Sequence, residues 1–157
     1  METPRLFCTF RVEDRLFGVD ILDVKEVTTE TTSTRIAHAP EEVCGLVNIR
    51  GHIYLALDLR RLLGMAVTNV TGDSRLVLFK PTVGSAFGVV VDEIGDIQTV
   101  EHTSIEAFSQ NNHEIAAANL RRVDLIEAVC KLNNELLVVL NPRRFLTVVE
   151  QNLAASA

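Results

Sequence analysis

Hydrophobic and polar positions alternate over short stretches along most of the chain, and this pattern predicts β-strands. Each apolar run is rich in Val, Ile, Leu and Phe and is bounded by a short polar or glycine-containing break, which is typical of strands joined by tight turns. The pattern therefore predicts an all-β fold. The predicted strands cover residues 6–12, 16–21, 24–34, two within 45–57, 75–80, 86–91, 94–100, 125–131 and 135–140.

Two helix signals interrupt the strands. Asp58 precedes Leu-Arg-Arg-Leu-Leu and Gly64, an arrangement that predicts an N-cap, one or two helical turns and a glycine stop. Asn141 and Pro142 suit an N-cap and a first helical residue, and they predict a C-terminal helix over about residues 142–152. Its apolar residues fall on one face, which indicates an amphipathic helix; they are Phe145, Val148, Val149 and Leu153.

The connections carry signals of their own. Arg50 and Gly51 form a predicted tight turn within residues 45–57, where glycine supplies a positive φ if the turn demands one. Asn133 and Asn134 predict the turn of the last hairpin. Residues 66–74 are predicted to form a loop. The irregular stretch 102–122 contains one candidate short helix, residues 114–121.

An internal repeat runs through this pattern. Residues 17–27 match residues 87–97 at an offset of 70, and residues 54–63 match residues 137–146 at an offset of 83. Strand, strand, hairpin, N-cap and short helix occur in this order in both halves. The difference between the offsets predicts 13 additional residues in the second half, within the stretch 102–122. The opening strands match loosely at the first offset, through Arg5 with Arg75 and Leu6 with Leu76.

The repeat constrains the architecture. A half of roughly 60–70 residues buries too little surface to be stable alone, so the two halves are expected to share a core. Short strands, tight turns and few long helices favour small closed barrels over one open sheet.

Composition and charge exclude several classes of protein. The chain has 157 residues, of which 47% are hydrophobic, so it is long enough for one compact domain with a core. Its formal net charge of −6 and its scattered basic residues argue against binding to nucleic acid. We see no secretory signal, and no apolar run is long enough for a membrane helix, so direct membrane insertion is not expected. Three separated cysteines in apolar surroundings indicate reduced thiols and a cytoplasmic location; they are Cys8, Cys44 and Cys130.

The residues that carry chemistry form no recognisable catalytic or metal-binding set. His38, Cys44 and His52 lie near each other in the sequence, but their spacing matches no zinc signature. Asp92 and Glu93 are adjacent carboxylates at a strand end, and we interpret them as a turn and not as an acid–base pair. No glycine-rich phosphate loop and no activated serine is evident. We therefore predict a protein that is not an enzyme and that needs no metal or cofactor.

A small set of polar residues is not explained by folding. Arg50 lies beside the turn glycine between apolar strands. Strict alternation would place Val24 and Glu26 on one face of their strand and Lys25 and Val27 on the other. Such a surface suits either a solvated sheet edge or a partner-binding patch, because apolar residues beside charge are typical of interfaces. The pattern alone leaves both interpretations open.

Four segments together resemble the chemotaxis coupling proteins of the CheW family. Residues 43–60 (VCGLVNIRGHIYLALDLR) resemble the family's hallmark Gly-Val-x-Asn-Leu-Arg-Gly segment and the Asp-Leu-Arg that follows it. Residues 17–27 (FGVDILDVKEV), 35–40 (RIAHAP) and 87–94 (FGVVVDEI) look like three further family motifs. They occur in the family's order, and the resemblance covers about residues 5–147.

The resemblance implies a specific architecture. It implies two five-stranded SH3-like β-barrel subdomains with short helices, including the C-terminal helix, and a first strand that belongs with the second barrel. We accordingly expect one domain over residues 5–150. Its first subdomain would cover about residues 14–72, its second about 5–12 plus 74–147, and its C-terminal helix about 142–152.

The resemblance also implies a function in signal transduction. It implies an adaptor that bridges the cytoplasmic tips of chemoreceptors to the regulatory domain of the histidine kinase CheA, which shares the fold. Residues carried over from the family motifs as receptor or kinase contacts are Val24, Glu26, Val27, Gly45 and Arg50. Gly45 could instead be required by the backbone conformation at its position. Arg50 could stabilise the junction of the barrels through hydrogen bonds to backbone carbonyls.

Departures from the family pattern keep the partner's identity open. Ile49 replaces the usual Leu, Leu55 stands where Pro is usual, and His38 and Ala39 replace small or polar residues. One alternative is a coupler in another chemosensory pathway, such as pilus motility or gene regulation. The other is a small-ligand-binding β-barrel or an enzyme, which a deep pocket lined by His38, His52 or Asp92 would support.

Overall fold

A computed structural model describes residues 3–65, 73–108 and 122–156 of the chain. Within these residues we number twelve β-strands and two α-helices in chain order. They are β1 Arg5–Val12, β2 Arg15–Asp20, β3 Val24–Thr28, β4 Val43–Ile49, β5 His52–Asp58, α1 Leu59–Leu62, β6 Arg75–Phe79, β7 Phe87–Val91, β8 Glu93–Ile94, β9 Gln98–Val100, β10 Ile105–Ala107, β11 Ile126–Lys131, β12 Leu136–Leu140 and α2 Phe145–Ser156.

The strands form two sheets, which confirms the predicted all-β class. The first sheet has the order β10-β11-β12-β2-β1-β8, with β9 also paired to β1. The second sheet has the order β3-β6-β7-β5-β4. Each sheet is mainly antiparallel and contains one parallel pair, β12 with β2 in the first and β5 with β7 in the second. In the described part of the chain, no helix is long and apolar enough to cross a membrane.

The internal repeat is visible in the register of the strands. Leu55 of β5 pairs in parallel with Phe87 of β7. Adding 83 to the first number and subtracting 70 from the second gives Val138 and Phe17, which pair in parallel between β12 and β2. Because both sequence offsets reproduce one structural pairing, the two sheets are two copies of the same arrangement.

The seven strands of the first sheet can be matched to the five strands of the second. Thr28 of β3 pairs with Leu76 of β6, and Gln98 of β9 pairs with Phe7 of β1 in the equivalent position. The strands β8 and β9 together therefore correspond to β3. The isolated bridge of Thr34 with β4 takes the place of β10 beside β11.

The loose match of the opening strands is out of register by one residue. In the first sheet Cys8 pairs with Val19, whereas in the second Val77 pairs with Val89. The structural offset of β6 from β1 is thus 69, and Arg5 does not correspond to Arg75. The cross-strand pairing decides the register because a shift by one residue would reverse which face of the strand is buried.

The strand pairing divides the chain differently from the predicted subdomain boundaries of about 14–72 and 5–12 plus 74–147. Strand β2 belongs with β1 in the first sheet, because Val12 pairs with Arg15 across a two-residue turn. Strands β6 and β7 belong with β3, β4 and β5 in the second sheet. After the β1–β2 hairpin of the first sheet, the chain enters the second sheet with β3. After the β6–β7 hairpin of the second sheet, it returns to the first with β8, so each half of the chain contributes strands to both sheets.

Both faces of each sheet contribute buried residues. One face of each sheet contributes to a large shared cluster, in which Phe10 and Phe17 of the first sheet meet Phe79 and Phe87 of the second. Phe145 of α2 packs edge-on against Phe79, with ring centroids 6.0 Å apart. The opposite faces enclose smaller clusters, one around Phe7 and Leu137 in the first sheet and one around Tyr54 and Leu78 in the second. The two units therefore share a core, as the repeat predicts.

The helix signals are confirmed, with one refinement. The Asp58 carboxylate accepts a hydrogen bond from the Arg60 backbone N–H at 3.0 Å, and α1 is followed by Gly64 with φ +74°. The Asn141 side chain accepts one from the Arg143 backbone N–H at 3.1 Å. The turn that follows, Pro142–Arg144, is a 3-10 turn that leads into α2. The predicted loop 66–74 lies mostly, and the candidate helix 114–121 wholly, outside the described residues.

Candidate partner-binding surface

The sequence-predicted site residues come from two elements at opposite edges of the second sheet. Val24, Glu26 and Val27 lie on β3, whereas Gly45 lies on β4 and Arg50 in the β4–β5 turn. The sheet curls so that its edges approach each other, and the Glu26 carboxylate forms an ion pair with the Arg50 guanidinium. Two residues that are 24 positions apart in the sequence are thus brought together.

The turn holds Arg50 in an unusual backbone conformation. Ile49 and His52 close a two-residue hairpin in which Arg50 has φ +51° and Gly51 has φ +87°. Glycine adopts such angles freely, whereas a residue with a Cβ in the left-handed region costs about 1 kcal/mol or more. Glu13, Asp14 and His38 also have positive φ, so the conformation by itself marks a tight turn, and the function of Arg50 has to be argued from its contacts.

The ion pair itself is accessible to solvent. The Arg50 side chain is 70% exposed and that of Glu26 26% exposed. Exposed pairs of this kind contribute about 0–1 kcal/mol to stability. The pair therefore fixes the direction of two charged side chains more than it stabilises the fold.

A β-bulge in β3 makes the alternation prediction wrong. Val24 pairs with Phe79 and Glu26 with Leu78, so Lys25 has no opposite residue in β6. Because residues directly opposite each other share a face, Glu26 lies on the face of Leu78. Val24 lies on the other face with Phe79, and so does Val27, which pairs with Val77. Glu26 thereby shares a face with the interior of the second sheet, and Val24 and Val27 with the core between the sheets.

Lys25 and Tyr54 connect this bulge to the hairpin. The Lys25 ammonium donates a hydrogen bond to the Tyr54 hydroxyl at 2.8 Å, and its Nζ lies 5.4 Å from the centroid of the Tyr54 ring. Tyr54 is buried within the second sheet. The hydroxyl of a buried tyrosine usually finds a hydrogen-bond partner, and here that partner is the bulged lysine.

Gly45 has a backbone role that the structure makes specific. Its φ is +142°, and an added Cβ would lie 2.2 Å from the Thr34 carbonyl oxygen. This close approach allows two backbone hydrogen bonds between Thr34 and Leu46, of 2.8 and 2.9 Å. Gly45 is buried, so its geometry supports a role in folding, while direct partner contact stays a proposal.

Two apolar residues missed by the sequence interpretation are exposed on the hairpin that carries Arg50. Leu46 on β4 is 39% exposed and Ile53 on β5 is 51% exposed. Both lie on the outer face of the hairpin, out of phase with the buried Val47 and Tyr54. They fall at the outward-facing positions of the alternating pattern, but the pattern does not show whether that face is covered. The hairpin that presents Arg50 therefore also exposes apolar side chains.

Two cavities occupy equivalent places in the two halves. One of about 670 Å³ is lined by residues that include Val43, Cys44, Asp58 and Arg61. The other, of about 460 Å³, is lined by residues that include Ile126, Glu127, Asn141 and Arg144, each 83 positions further along the chain. Neither is lined by His38, His52 or Asp92, the residues that would have supported a ligand-binding barrel. Among the described residues, no group of His, Cys, Asp and Glu is arranged to hold a metal ion.

Comparisons with known proteins agree with this architecture. The family model of the CheW-like domain matches residues 6–150. The chemotaxis protein CheW of Rhizobium meliloti (strain 1021) is 32% identical over 102 residues, which is 65% of each chain. That of Bacillus subtilis (strain 168) is 23% identical over 141 residues, 90% of this chain and 86% of the relative. The crystal structure of the scaffolding protein TtCheW from Thermoanaerobacter tengcongensis superposes with a TM-score of 0.76 at 25% identity, covering 87% of this chain and 88% of that one.

The fold defines an all-β protein of two similar sheets around a shared core. The chain belongs to the CheW-like domain family. Membership carries the coarse function, which is scaffolding in chemotactic signal transduction.

Proposed function

We propose that this protein couples the cytoplasmic tips of chemoreceptors to the regulatory domain of the histidine kinase CheA. Family membership supports the scaffold class. The observation that carries the proposal is the exposed Arg50, which is held in a left-handed turn, is paired with Glu26, and lies on a hairpin that also exposes Leu46 and Ile53. A charged centre next to apolar side chains is the composition from which interface hot spots are built.

The proposed mechanism is positional. The surface of β3 and the β4–β5 hairpin contacts one partner through Arg50, Glu26 and neighbouring apolar residues. Val24 packs at the margin of the core shared by the two sheets, and Val27 is 37% exposed, so that a receptor helix would dock on Val27. A signal then passes as a shift in the populations of kinase conformations, biased through rigid contacts. Since both partners present cytoplasmic parts, the proposed location is the cytoplasm.

The test is a binding titration with purified fragments. The isolated chain is titrated with the CheA regulatory domain and, separately, with a receptor tip fragment, each at fixed salt. We expect measurable binding to both, and Arg50→Ala and Glu26→Ala to weaken complex formation while the melting temperature stays near that of the parent chain. Asn133→Ala, in the corresponding turn of the first sheet, serves as the matched control. Absence of binding to either fragment would sink the proposal.

A further inference from the structure

The turn that presents Arg50 is stabilised by one particular side chain. The Asn48 side-chain carbonyl oxygen accepts a hydrogen bond from the Gly51 backbone N–H at 2.8 Å. Two-residue hairpin turns with positive φ at both central positions normally carry Asn or Gly at those positions. Here an arginine occupies the first of them. The hydrogen bond to Asn48, which lies on β4 before the turn, stabilises this conformation.

The Glu26 side of the pair depends on the bulge in β3. A bulge rotates the following residues relative to the partner strand, and such bulges commonly aim a side chain at a functional site. Lys25 is the residue without an opposite partner, and its bond to the Tyr54 hydroxyl anchors it to β5. The residue that follows, Glu26, meets Arg50.

We propose that Asn48 and Tyr54 are positioning residues for the Glu26–Arg50 pair. Asn48 keeps the Arg50 backbone in the left-handed region, and Tyr54, through Lys25, keeps the bulge that directs Glu26. The inference rests on the proposed coupling function and adds to it the contacts that prepare the surface before the partner arrives. A charged pair fixed in advance loses less conformational freedom on binding, which raises affinity without any new contact.

The Asn48–Gly51 and Lys25–Tyr54 hydrogen bonds are better suited to orient Arg50 and Glu26 than to stabilise the fold. Asn48 is exposed, and the Lys25 side of the second contact is exposed as well. Hydrogen bonds at exposed positions contribute little to the free energy of unfolding, because water replaces them at low cost. Losing either bond should therefore change the geometry of Arg50 or Glu26 more than the melting temperature.

The experiment uses the full chain labelled for NMR, and a titration with the CheA regulatory domain. Asn48→Ala removes the acceptor, whereas Asn48→Asp keeps one. Tyr54→Phe removes only the hydroxyl, and Lys25→Met removes the ammonium while keeping most of the stem. Asn133→Ala, in the turn between β11 and β12, is the matched control. The Arg50 backbone conformation is followed by its Cα and Cβ shifts and its HN–Hα coupling, and the salt bridge by exchange of the Arg50 Hη protons, since Nη2 is the donor to Glu26.

We expect Asn48→Ala to move Arg50 out of the left-handed region and to weaken kinase binding about five- to tenfold, as loss of one organising hydrogen bond allows. Asn48→Asp should restore both, and Asn133→Ala should change neither. Tyr54→Phe and Lys25→Met should accelerate exchange of the Arg50 Hη protons and weaken binding by a similar factor. In an Arg50→Ala background, Asn48→Ala should change the affinity by less than about twofold.

Three results would overturn the inference. The first is that Arg50 keeps its conformation in Asn48→Ala, and the second is that the loss of affinity persists undiminished in the Arg50→Ala background. The third is that exchange of the Arg50 Hη protons is unaffected by both Tyr54→Phe and Lys25→Met. If Tyr54→Phe fails to fold, Lys25→Met alone tests the β3 side. If the parent chain does not bind the kinase fragment at all, the coupling function falls, and the NMR measurements on the free chain still decide the positioning.

Discussion

The guanidinium of Arg60 holds both carboxylate oxygens of Asp92, at 2.6 and 2.7 Å. Arg60 lies in α1, two residues beyond the end of β5, and Asp92 lies just beyond the end of β7, its parallel neighbour. The same guanidinium donates to the Glu13 carboxylate at 2.9 Å, and Asp92 also accepts from the Glu13 backbone N–H at 2.9 Å. The cluster thereby fastens the β1–β2 turn of the first sheet to the second sheet at a strand crossover.

Replacing Arg60 should destabilise the protein strongly. The Arg60 side chain is only 5% exposed, whereas those of Glu13 and Asp92 are 30% and 32% exposed. Removing it loses three charge-assisted hydrogen bonds and the packing of a buried stem. We expect Arg60→Ala to lower the free energy of unfolding by about 3 kcal/mol. Urea denaturation followed by far-UV circular dichroism measures this change.

Arg143 offers the matched control, because it follows Arg60 by the repeat offset of 83. It pairs with Asp23 at the other crossover, at 3.0 Å, and its side chain is 51% exposed, whereas that of Asp23 is 11% exposed. Arg143→Ala should cost about 1–2 kcal/mol, because the Asp23 carboxylate loses its partner while little of the arginine stem leaves the core. Equal losses in the two variants would show that burial does not distinguish the two crossovers.

Replacing Arg50 by glycine should separate stability from binding. Glycine adopts φ +51° without steric strain, so Arg50→Gly should leave the fold as stable or raise the free energy of unfolding by up to about 1 kcal/mol. Loss of the guanidinium should at the same time weaken binding to the CheA regulatory domain. Thermal denaturation and a binding titration on one preparation measure both, and a drop in stability would contradict the assignment of strain to this residue.

Replacing Gly45 should reduce stability and should have little direct effect on binding, unlike the replacement of Arg50. A Cβ at this position would lie 2.2 Å from the Thr34 carbonyl oxygen, so the two segments could not keep their hydrogen bonds. Gly45→Ala should lower the free energy of unfolding by about 2–4 kcal/mol and weaken binding only in proportion to the loss of folded protein. The reverse change at the equivalent position, Ala128→Gly, should cost only about 1 kcal/mol. If Gly45→Ala loses affinity but unfolds like the parent, the glycine acts at the interface.

Much of the fold could be predicted from the sequence because strands, caps and tight turns are local features. The Asp58 and Asn141 caps each need only a few neighbouring residues, and the repeat is detectable because equivalent positions face the same packing. The exchange of strands between the sheets could not be predicted in the same way. Pairing of β2 with β12 joins residues more than a hundred positions apart, and no local pattern encodes it.

The candidate site was predictable in its members but not in its geometry. Arg50 and Glu26 stood out as polar residues among apolar strands, yet their ion pair depends on a bulge that removes Lys25 from the pairing register. Strict alternation fails wherever one extra residue enters a strand. The exposed Leu46 and Ile53 were present in the pattern, but a leucine or isoleucine in a strand gives no sign of whether its face will be covered.

The Cys44 thiol should make the free energy of unfolding fall as the pH rises in the alkaline range. Burial raises the pKa of its thiol from 9.0 to about 11, and the Asp58 carboxylate adds to the shift. The unfolded chain therefore loses this proton before the folded chain does. The contribution of Cys44 is fully present below pH 9 and declines as the pH rises towards 11, by about 1–2 kcal/mol.

The comparison of the parent chain with Cys44→Ala isolates this effect. Burial also raises the pKa of Cys8 and Cys130, so the parent curve alone would combine several titrations. Subtracting the unfolding free energies of the variant from those of the parent at each pH cancels the other groups. The difference should be constant up to about pH 9 and should fall towards pH 11. A difference that stays flat across this range would mean that the Cys44 thiol titrates alike in the folded and unfolded chains, and that the cavity it lines is open to water.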